Sequence, residues 1–413
     1  MVLKTFNIYR LYSRKLLDSD LKLFELSVMI QAFAQSLIAV FIPVILWKTG
    51  FSIPAIIVFF ILFCVFDIPL SILARNLVSK VGARMVLIYS IFAEVIYLIL
   101  LYNIHNNFFE IFFLALAIAV FDAFYWVSHI YIFIQSAHNS EKLRSDVGLL
   151  NIARNIGELL APGIGAFIFV AADPKTLIFV STVIMLLSLI PLYQMRHLDF
   201  MLNRKILSFK EFFAQPLEKV NYFFEALGAI QVEASEVIWP FFIFFLLGSL
   251  KQVALVPIII SVAGLIVTYI TGRLSVRENI YKVIAVGALF LFIFWVGRVV
   301  YTANTFVVYS TVFLIGLTAI LVDIPIDISI FERGKKTDVL DSAAYRNAFR
   351  MFARLLLYVF LFVAVVFFKA DFFRQTFYVV ATAMLVLFFG SWIVSRRIKT
   401  LTRLETEPLE MEQ

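Results

Sequence analysis

Residues 52–84 have the sequence SIPAIIVFFILFCVFDIPLSILARNLVSKVGAR, a predominantly apolar run followed by a short basic segment. About 20 apolar residues are enough for a helix to cross the ~30 Å hydrocarbon core of a bilayer. The chain contains eleven further runs of this kind, so the sequence predicts a membrane protein with twelve spanning helices. These predicted helices, numbered in chain order, cover residues 23–47, 52–74, 84–103, 107–134, 146–171, 175–195, 220–248, 252–274, 280–301, 304–330, 343–368 and 372–394.

The composition agrees with lipid as the main solvent of this chain. Apolar residues make up 62% of the 413 residues and charged residues only 15%, whereas soluble domains are nearer half apolar and a quarter charged. The net charge of +7 comes from short basic clusters between apolar runs, not from one basic face, so we expect no nucleic-acid partner. The single cysteine, Cys64, excludes an internal disulfide and a multi-cysteine metal site.

The distribution of basic residues predicts the orientation. If the N-terminus is cytoplasmic, the predicted cytoplasmic segments hold 25 of the 35 Lys and Arg residues, and the external segments hold five. This bias is typical of cytoplasmic loops, so both termini are predicted to lie in the cytoplasm. The first apolar run is too long for a signal peptide, and we expect helix 1 to be retained.

The chain is predicted to consist of two six-helix halves. Asn151 and Arg154 in helix 5 recur as Asn347 and Arg350 in helix 11, 196 residues later. Such repeats are a known plan of transporters. The predicted domains are an N-terminal half (1–195), a cytoplasmic linker (196–219) with a short helix around 209–213, a C-terminal half (220–394) and a cytoplasmic tail (395–413).

The loop after helix 2, residues 75–84, resembles the signature Gly-x-x-x-Asp-Arg-x-Gly-Arg-Lys of the major facilitator superfamily. Gly82 and Arg84 match the signature, Lys80 replaces its first arginine, and Ser79 stands in place of its aspartate. The corresponding segment after helix 8, residues 272–277, keeps only the first glycine of the signature, Gly272, and Arg277.

A second resemblance lies in helix 5, where Gly157 precedes Ala161-Pro162-Gly163-Ile164-Gly165. This sequence is similar to the Gly/Pro pattern of many superfamily members and is often associated with exporters. Small residues also allow ordinary close packing of helices, and the pattern alone leaves both explanations open.

The resemblance implies an all-α fold in which helices 1, 4, 7 and 10 line a central cavity. Polar residues at membrane depth are functional candidates by default, and they are frequent on these helices. The candidates for the substrate cavity are Gln31, Gln35, Asp122, Tyr125, Trp126, His129 and Trp239.

Other charged residues are predicted to form structural or gating contacts rather than to bind substrate. Aspartates of helix 10 and arginines of helix 11 lie at similar predicted depth, where ion pairs would satisfy them. Arg154, Glu158 and Asp122 form the corresponding group of the first half, and Asp67 is expected to meet helix 11. The residues predicted to have structural or gating roles, including the glycine of the loop signature, are Asp67, Lys80, Gly82, Arg84, Arg154, Glu158, Asp323, Asp327, Arg346, Arg350 and Arg354.

Glu233 and Glu236 of helix 7 have no basic residue at their depth on helix 7 or early helix 8. Two neighbouring carboxylates without a cation tend to keep a proton, because burial and like charge both oppose ionisation. Glu233 or Glu236 is therefore predicted to couple transport to protons. The alternative is that either residue pairs with Arg298 or with an arginine of helix 11.

These features predict a secondary active transporter that works by alternating access, with proton-coupled export of an amphipathic compound favoured. The alternatives are proton-driven uptake of a small polar nutrient and a receptor or scaffold on the same fold. The common catalytic and ATP-binding motifs are absent from the sequence, so we expect no enzyme. We also expect a monomer in the cytoplasmic (inner) membrane, with a small-molecule substrate and protons as partners, and neither cofactor nor metal.

Overall fold

The computed structural model describes residues 2–136, 140–195, 209–213, 216–271, 280–300, 305–334, 338–368 and 371–410, which are almost entirely helical and contain no strand. Helices occur at all twelve predicted positions. Helices 1 to 6 are Val2–Lys48 (interrupted at Ala39–Phe41), Ile53–Val81, Ala83–Tyr102, Phe108–Ser136, Ser140–Ala171 and Pro174–Gln194 (interrupted at Ser188). Helices 7 to 12 are Pro216–Leu247 (with a π-helical turn at Ala234–Ile238), Leu250–Thr271, Ile280–Val300, Thr305–Gly334, Val339–Phe368 and Phe372–Glu410.

Eleven of these helices are long and apolar enough to cross a membrane, and helix 5 contributes the shorter apolar segment Ile156–Ala171. Helix 1 begins at Val2, well before its predicted start, and helix 12 continues to Glu410, beyond its predicted end. Hydropathy detects only the apolar part of a helix. No glycine or proline precedes Pro43 or lies between Gly390 and Pro408, so nothing stops the helices in their polar extensions.

The predicted linker lies mostly outside the described residues. Its predicted short helix is present as Phe209–Phe212, and helix 7 begins at Pro216, slightly earlier than predicted. Proline is favoured in the first turn of a helix because it has no N–H to leave unpaired.

Proline accounts for the interruptions of helices 1, 6 and 7. Pro43, Pro191 and Pro240 each follow an irregular turn within four residues, as expected of a residue that cannot donate the i→i−4 hydrogen bond. At the break in helix 6, the carbonyl of Ser188 accepts a hydrogen bond of 2.9 Å from Ser27 of helix 1.

The two halves meet along two seams. Helix 2 packs against helix 11, which we call the 2–11 seam, and helix 5 packs against helix 8, the 5–8 seam. Within the halves, helix 1 packs on helices 5 and 6, and helix 9 packs on helices 10 and 12. This arrangement agrees with two six-helix halves of one pseudo-symmetric fold.

Close packing explains the glycines of helix 5. A Cβ atom on Gly157 would lie 2.6 Å from the carbonyl oxygen of Met29, and one on Gly165 would overlap the carbonyl oxygen of Leu37. Gly163 faces the other half, where a Cβ atom would lie 3.3 Å from Ile258 of helix 8. The glycines therefore let helix 5 pack closely against helix 1 on one side and helix 8 on the other.

The halves touch at both ends of the bundle. At the end where helix 6 stops and helix 7 begins, here called the linker end, the rings of Phe133 and Phe331 have centroids 5.9 Å apart. At the opposite, far end, Trp47 contacts Phe245 with centroids 5.3 Å apart. The far-end part of the 2–11 seam encloses only a small apolar cavity of about 20 Å³.

Candidate functional site

One face of helix 2 carries the polar residues of the 2–11 seam. Cys64, Asp67, Ser71 and Arg75 follow one another at three- and four-residue intervals and are all buried. Residues with this spacing lie on one side of a helix. Buried polar groups at membrane depth need partners inside the protein, and helix 11 supplies them.

Arg75 forms an ion pair between the halves. Its Nη1 atom lies 2.7 Å from Oδ1 of Asp341, and the two side chains are 10% and 2% exposed. Asp341 stands in the first turn of helix 11, and the Arg75 guanidinium also lies 5.8 Å from the ring centroid of Tyr345. Sequence analysis missed this contact, although Arg75 occupies the position of the signature's first glycine.

The matching residues of the loop signature have other surroundings. Gly82 joins helices 2 and 3 with φ 86°, a left-handed conformation that favours glycine. Arg84 donates a hydrogen bond of 3.2 Å to the carbonyl of Tyr193 at the end of helix 6, and Lys80 is exposed. The second copy of the signature, 272–277, lies outside the described residues.

Deeper in the same seam, two aspartates of the N-terminal half meet an asparagine of the C-terminal half. Nδ2 of Asn347 lies 2.8 Å from Oδ1 of Asp67 and 3.5 Å from Oδ2 of Asp122. Ser71 donates to Asp67 at 3.0 Å. Asp67 thus meets helix 11 as predicted, but Asp122 joins Asp67 instead of Arg154 and Glu158.

This pair of carboxylates, the Asp67–Asp122 pair, is buried: the residues are 0% and 9% exposed. Among the described residues, neither forms an ion pair with a lysine or arginine. Oδ2 of Asp67 is buried and has no hydrogen bond within the described part of the chain. The side chain of Asn151, the repeat counterpart of Asn347, is not described.

Three arginines form a stripe along helix 11 at four-residue intervals. Arg346 pairs with Asp327 of helix 10, and Arg350 lies 2.8 Å from Glu225 of helix 7. Glu225 also lies 3.1 Å from Arg346. The predicted pairing of helix 10 with helix 11 therefore occurs at Asp327.

Asp323 does not take part in this pairing. It is half-buried and has no hydrogen bond or ion pair within the part of the chain that the structure describes. The arginines near this depth pair with helix 7 instead, because Glu225 forms ion pairs with both Arg346 and Arg350. Sequence analysis missed Glu225, which lies close to the predicted linker and has no motif around it.

The two glutamates of helix 7 differ in their surroundings. Glu233 is buried, lies 2.9 Å from Nε of Arg354 and accepts a hydrogen bond from the hydroxyl of Tyr358. Of the two alternatives for Glu233, pairing with an arginine of helix 11 is the one found. Glu236, in contrast, is exposed and has neither a hydrogen bond nor an ion pair among the described residues.

The backbone around Glu236 is a π-helical turn, Ala234–Ile238, closed by a bond from the N–H of Trp239 to the carbonyl of Ala234. Such turns are frequent at functional sites. Here the cause is local, because Pro240 cannot donate to the carbonyl of Glu236, its i−4 partner.

Glu236 is exposed and lies within electrostatic range of helix 5 of the other half, in the region between the halves that we call the central cleft. The charged groups that act on it are Arg154 and Glu158 of helix 5 together with Arg354 and Glu233 of the C-terminal half. Arg154 lies 2.6 Å from Glu158, and its guanidinium lies 5.2 Å from the ring centroid of Trp126. The cleft wall thus joins a free carboxylate, an ion pair and an indole.

Several predicted cavity residues lie elsewhere. Gln31 is fully buried and bonds to Ser27 at 2.8 Å, and Gln35 bonds to Glu94 of helix 3 at 3.2 Å. Tyr125 and His129 are buried, with the His129 ring 5.1 Å from that of Phe24. The four-residue spacing correctly placed the glutamines on one face of helix 1. It did not predict the direction of that face, which points to helices 3 and 6. Trp126 of the helix 4 stripe is only partly buried and lies beside Arg154.

Trp239 also points away from the cleft, toward helices 9 and 12. The buried guanidinium of Arg298 lies 3.8 Å from the ring centroid of Trp239 and 4.4 Å from that of Trp295. Its Nε donates weakly to Thr311 at 3.5 Å, whereas Nη1 and Nη2 have no hydrogen bond to a described residue. Two indoles therefore stabilise this charge in place of a carboxylate.

The described residues contain no group of three or more His, Cys, Asp or Glu side chains arranged to hold a metal ion.

Comparison with known proteins covers nearly the whole chain. The model of the Major Facilitator Superfamily matches residues 25–356. No curated protein matches the chain in sequence. The structure is similar to the crystal structure of the human organic anion transporter MFSD10 (TETRAN), with 12% identity, a TM-score of 0.67, and coverage of 91% of this chain and 99% of the other. It is also similar to a bacterial homologue of the iron transporter ferroportin in the outward-facing state, with 14% identity, a TM-score of 0.68, and coverage of 92% and 100%.

Proposed function

The chain belongs to the Major Facilitator Superfamily, and we propose that it exports an amphipathic, positively charged compound in exchange for protons. As a member of this family it is a multi-pass membrane protein and a secondary transporter with a small-molecule substrate. The coupling ion, the direction and the substrate class are our proposals. We further propose that it works as a monomer in the cytoplasmic membrane, with both termini in the cytoplasm.

The observation that carries the proposal is the state of Glu236. A carboxylate in the middle of a membrane-spanning helix is costly unless it has a partner or faces water. Glu236 is exposed to the central cleft and has no hydrogen bond or ion pair within the described part of the chain. It is therefore available to bind either a proton or a cationic group of a substrate.

The rest of the cleft wall supports an amphipathic compound. Trp126 offers an aromatic face, which attracts both apolar groups and cations. The positive charge of Arg154 is already balanced by Glu158 at 2.6 Å, so it opposes a cationic substrate less than a free arginine would. An apolar body with one positive charge matches this combination.

Competition at Glu236 would couple the movement of the substrate to the movement of protons. If the carboxylate binds a proton or the cationic substrate but not both, each one displaces the other. A cleft that opens alternately to the two sides then exchanges substrate for protons, as in the rocking mechanism of two-half transporters. The inter-half contacts at both ends support this mechanism, since each open state requires only one of the two sets to break.

Uptake of a small polar nutrient has less support. That alternative needs free hydrogen-bonding groups at Gln31, Gln35 and Asp122. In the structure, these three side chains bond to Ser27, Glu94 and Asn347, respectively. A scaffold without transport activity would not need an unpaired carboxylate in the central cleft.

Proteoliposomes that contain the purified protein and an internal pH indicator test the proposal. Lipophilic cations such as tetraphenylphosphonium and ethidium are added in turn, with small sugars and carboxylic acids as alternatives. We expect the cations to cause proton movement and the sugars to cause none. Proton movement with sugars alone would support uptake, and none with any compound would remove proton coupling.

A further inference from the structure

The Asp67–Asp122 pair lies between the two halves and takes no part in the proposed exchange at Glu236. Both carboxylates belong to the N-terminal half, and both accept from the same Nδ2 atom of Asn347, which belongs to the C-terminal half. Because they lie 2.8 and 3.5 Å from this one atom, the two carboxylates are close neighbours. The buried Oδ2 of Asp67 has no hydrogen bond to any residue that the structure describes, so this oxygen is left to accept a proton.

Two carboxylates at this distance, buried and without an ion-pair partner, do not both remain ionised. Burial and like charge oppose the second negative charge, so such pairs hold one proton between them. The aspartic protease pair is the general example of this behaviour. The pair thus has a single net negative charge while the proton is bound and two when it leaves.

We propose that Asp67 and Asp122 share one proton, and that loss of this proton tightens the contact between the two halves along the 2–11 seam. This inference rests on the proposed function, because it identifies a proton-binding site for the exchange. The site is distinct from Glu236: it lies in the seam rather than on the wall of the central cleft.

The groups that face the pair come from every neighbouring helix. Arg354 of helix 11 exerts the largest attraction on Asp122, although its ion pair is with Glu233. The other charged or titratable groups that the structure describes around the pair are Cys64 on helix 2, Glu94 on helix 3, Tyr125 on helix 4, Arg350 on helix 11 and, through Arg354, Glu233 on helix 7.

Arg354 therefore has two competing partners. With the proton on the pair, Glu233 at 2.9 Å holds Arg354 within its own half. When the proton leaves, the doubly negative pair of the other half attracts Arg354 more strongly and draws helix 11 toward helices 2 and 4. The state with Arg354 farther away binds the proton better, so acid favours separation of the halves at the linker end.

The distance between two spin labels measures this effect without a substrate. The labels are placed at Val81→Cys and Lys282→Cys, two exposed positions at the linker end of opposite halves, in a Cys64→Ala background. As the pH falls from about 8 to about 5, we expect a growing population with a longer distance. One shared proton changes the ratio of the two populations by at most tenfold per pH unit.

Variants identify the proton site. Asp67→Asn/Asp122→Asn removes both negative charges and so attracts Arg354 even less than the protonated pair does, and we expect the longer distance at every pH. Asn347→Leu keeps both carboxylates but removes the bond between the halves, so it is expected to show the longer distance with a weaker pH response. Retention of the wild-type pH response by the double variant would overturn the proposal, as would a wild-type protein whose distance does not change with pH.

Two controls separate this site from others. Glu94→Gln removes a buried carboxylate of the same half, whose hydrogen bond is with Gln35 of that half; we expect it to keep the wild-type response. Loss of the response in Glu236→Gln, with the double variant still responsive, would assign the proton to the cleft and contradict the proposal. A pH-dependent distance in a protein that moves no tested compound would support the pair and remove only the proposed transport.

Discussion

Arg75 of helix 2 and Asp341 of helix 11 lie 2.7 Å apart, although 266 residues separate them in the sequence. The pair joins the two halves at the linker end and is almost completely buried. Removal of one partner from a buried ion pair costs about 3–5 kcal/mol, because the remaining charge has no compensation. In a protein whose halves move, this cost falls on the state in which the linker end is closed.

We therefore expect Arg75→Gln to open the linker end. Cysteines introduced at Phe133 and Phe331, whose rings are in contact between the halves, report closure through the rate of disulfide cross-linking. The rate should fall by at least tenfold in Arg75→Gln and in Asp341→Asn. The exchanged pair Arg75→Asp/Asp341→Arg should recover part of the rate, and an unchanged rate in the single variants would show that the pair does not close this end.

Gly165 is expected to tolerate no larger side chain. Since a Cβ atom there would overlap the carbonyl of Leu37, Gly165→Ala must push helix 5 away from helix 1. Overpacking of this kind typically costs about 1–3 kcal/mol, which thermal unfolding in detergent measures as a lower midpoint.

Gly297 provides a matched control for this substitution, since it also lies within a membrane helix but a Cβ atom there has no neighbour within 4 Å. Alanine is the better helix former by up to about 1 kcal/mol. Gly297→Ala should therefore leave the midpoint unchanged or raise it. Equal destabilisation by both substitutions would show that the contact with Leu37 is unimportant.

Arg298 is expected to stabilise the C-terminal half without a role in transport. Arg298→Lys keeps the charge but loses the flat group that stacks between Trp239 and Trp295. We expect a loss of about 1–2 kcal/mol, seen as a lower unfolding midpoint. Arg298→Met removes the charge and should be less harmful than lysine, because no buried carboxylate is left unpaired. Impaired transport in a stable Arg298→Met protein would contradict this assignment.

The sequence alone predicted the twelve helices because hydropathy and helix length depend on local composition. It also placed Asp67 against helix 11 and Arg346 near Asp327, since charges at similar depth need partners inside the protein. The ends of helices 1 and 12 were predicted less well. Their polar extensions, such as Arg396–Glu410, have no hydropathy signal.

The direction in which a polar stripe faces was not predictable in the same way. Gln31 and Trp239 lie on helices that the family resemblance assigns to the cavity. Gln31 nevertheless bonds to Ser27, which itself bonds to helix 6, and Trp239 packs against Arg298 of helix 9. Rotation of a helix about its axis depends on contacts with distant segments. The π-helical turn Ala234–Ile238, which contains Glu236 but not Glu233, was likewise not predictable from the spacing of the two glutamates.

A signal for the 2–11 seam was nevertheless present. Cys64, Asp67, Ser71 and Arg75 share one helical face, and this spacing would have indicated a buried polar seam on helix 2. The partners on helix 11 were harder to find, because Asp341 and Asn347 are 266 and 280 residues from Arg75 and Asp67.

Proton movement driven by tetraphenylphosphonium, compared between wild-type protein and Glu236→Gln in proteoliposomes, tests the central claim most directly. Glu94→Gln serves as the matched control, because it also removes a single membrane carboxylate but one that bonds to Gln35. We predict a loss of at least tenfold in Glu236→Gln and wild-type rates in Glu94→Gln. Wild-type proton movement in a folded Glu236→Gln protein would contradict the claim that this carboxylate exchanges protons for substrate.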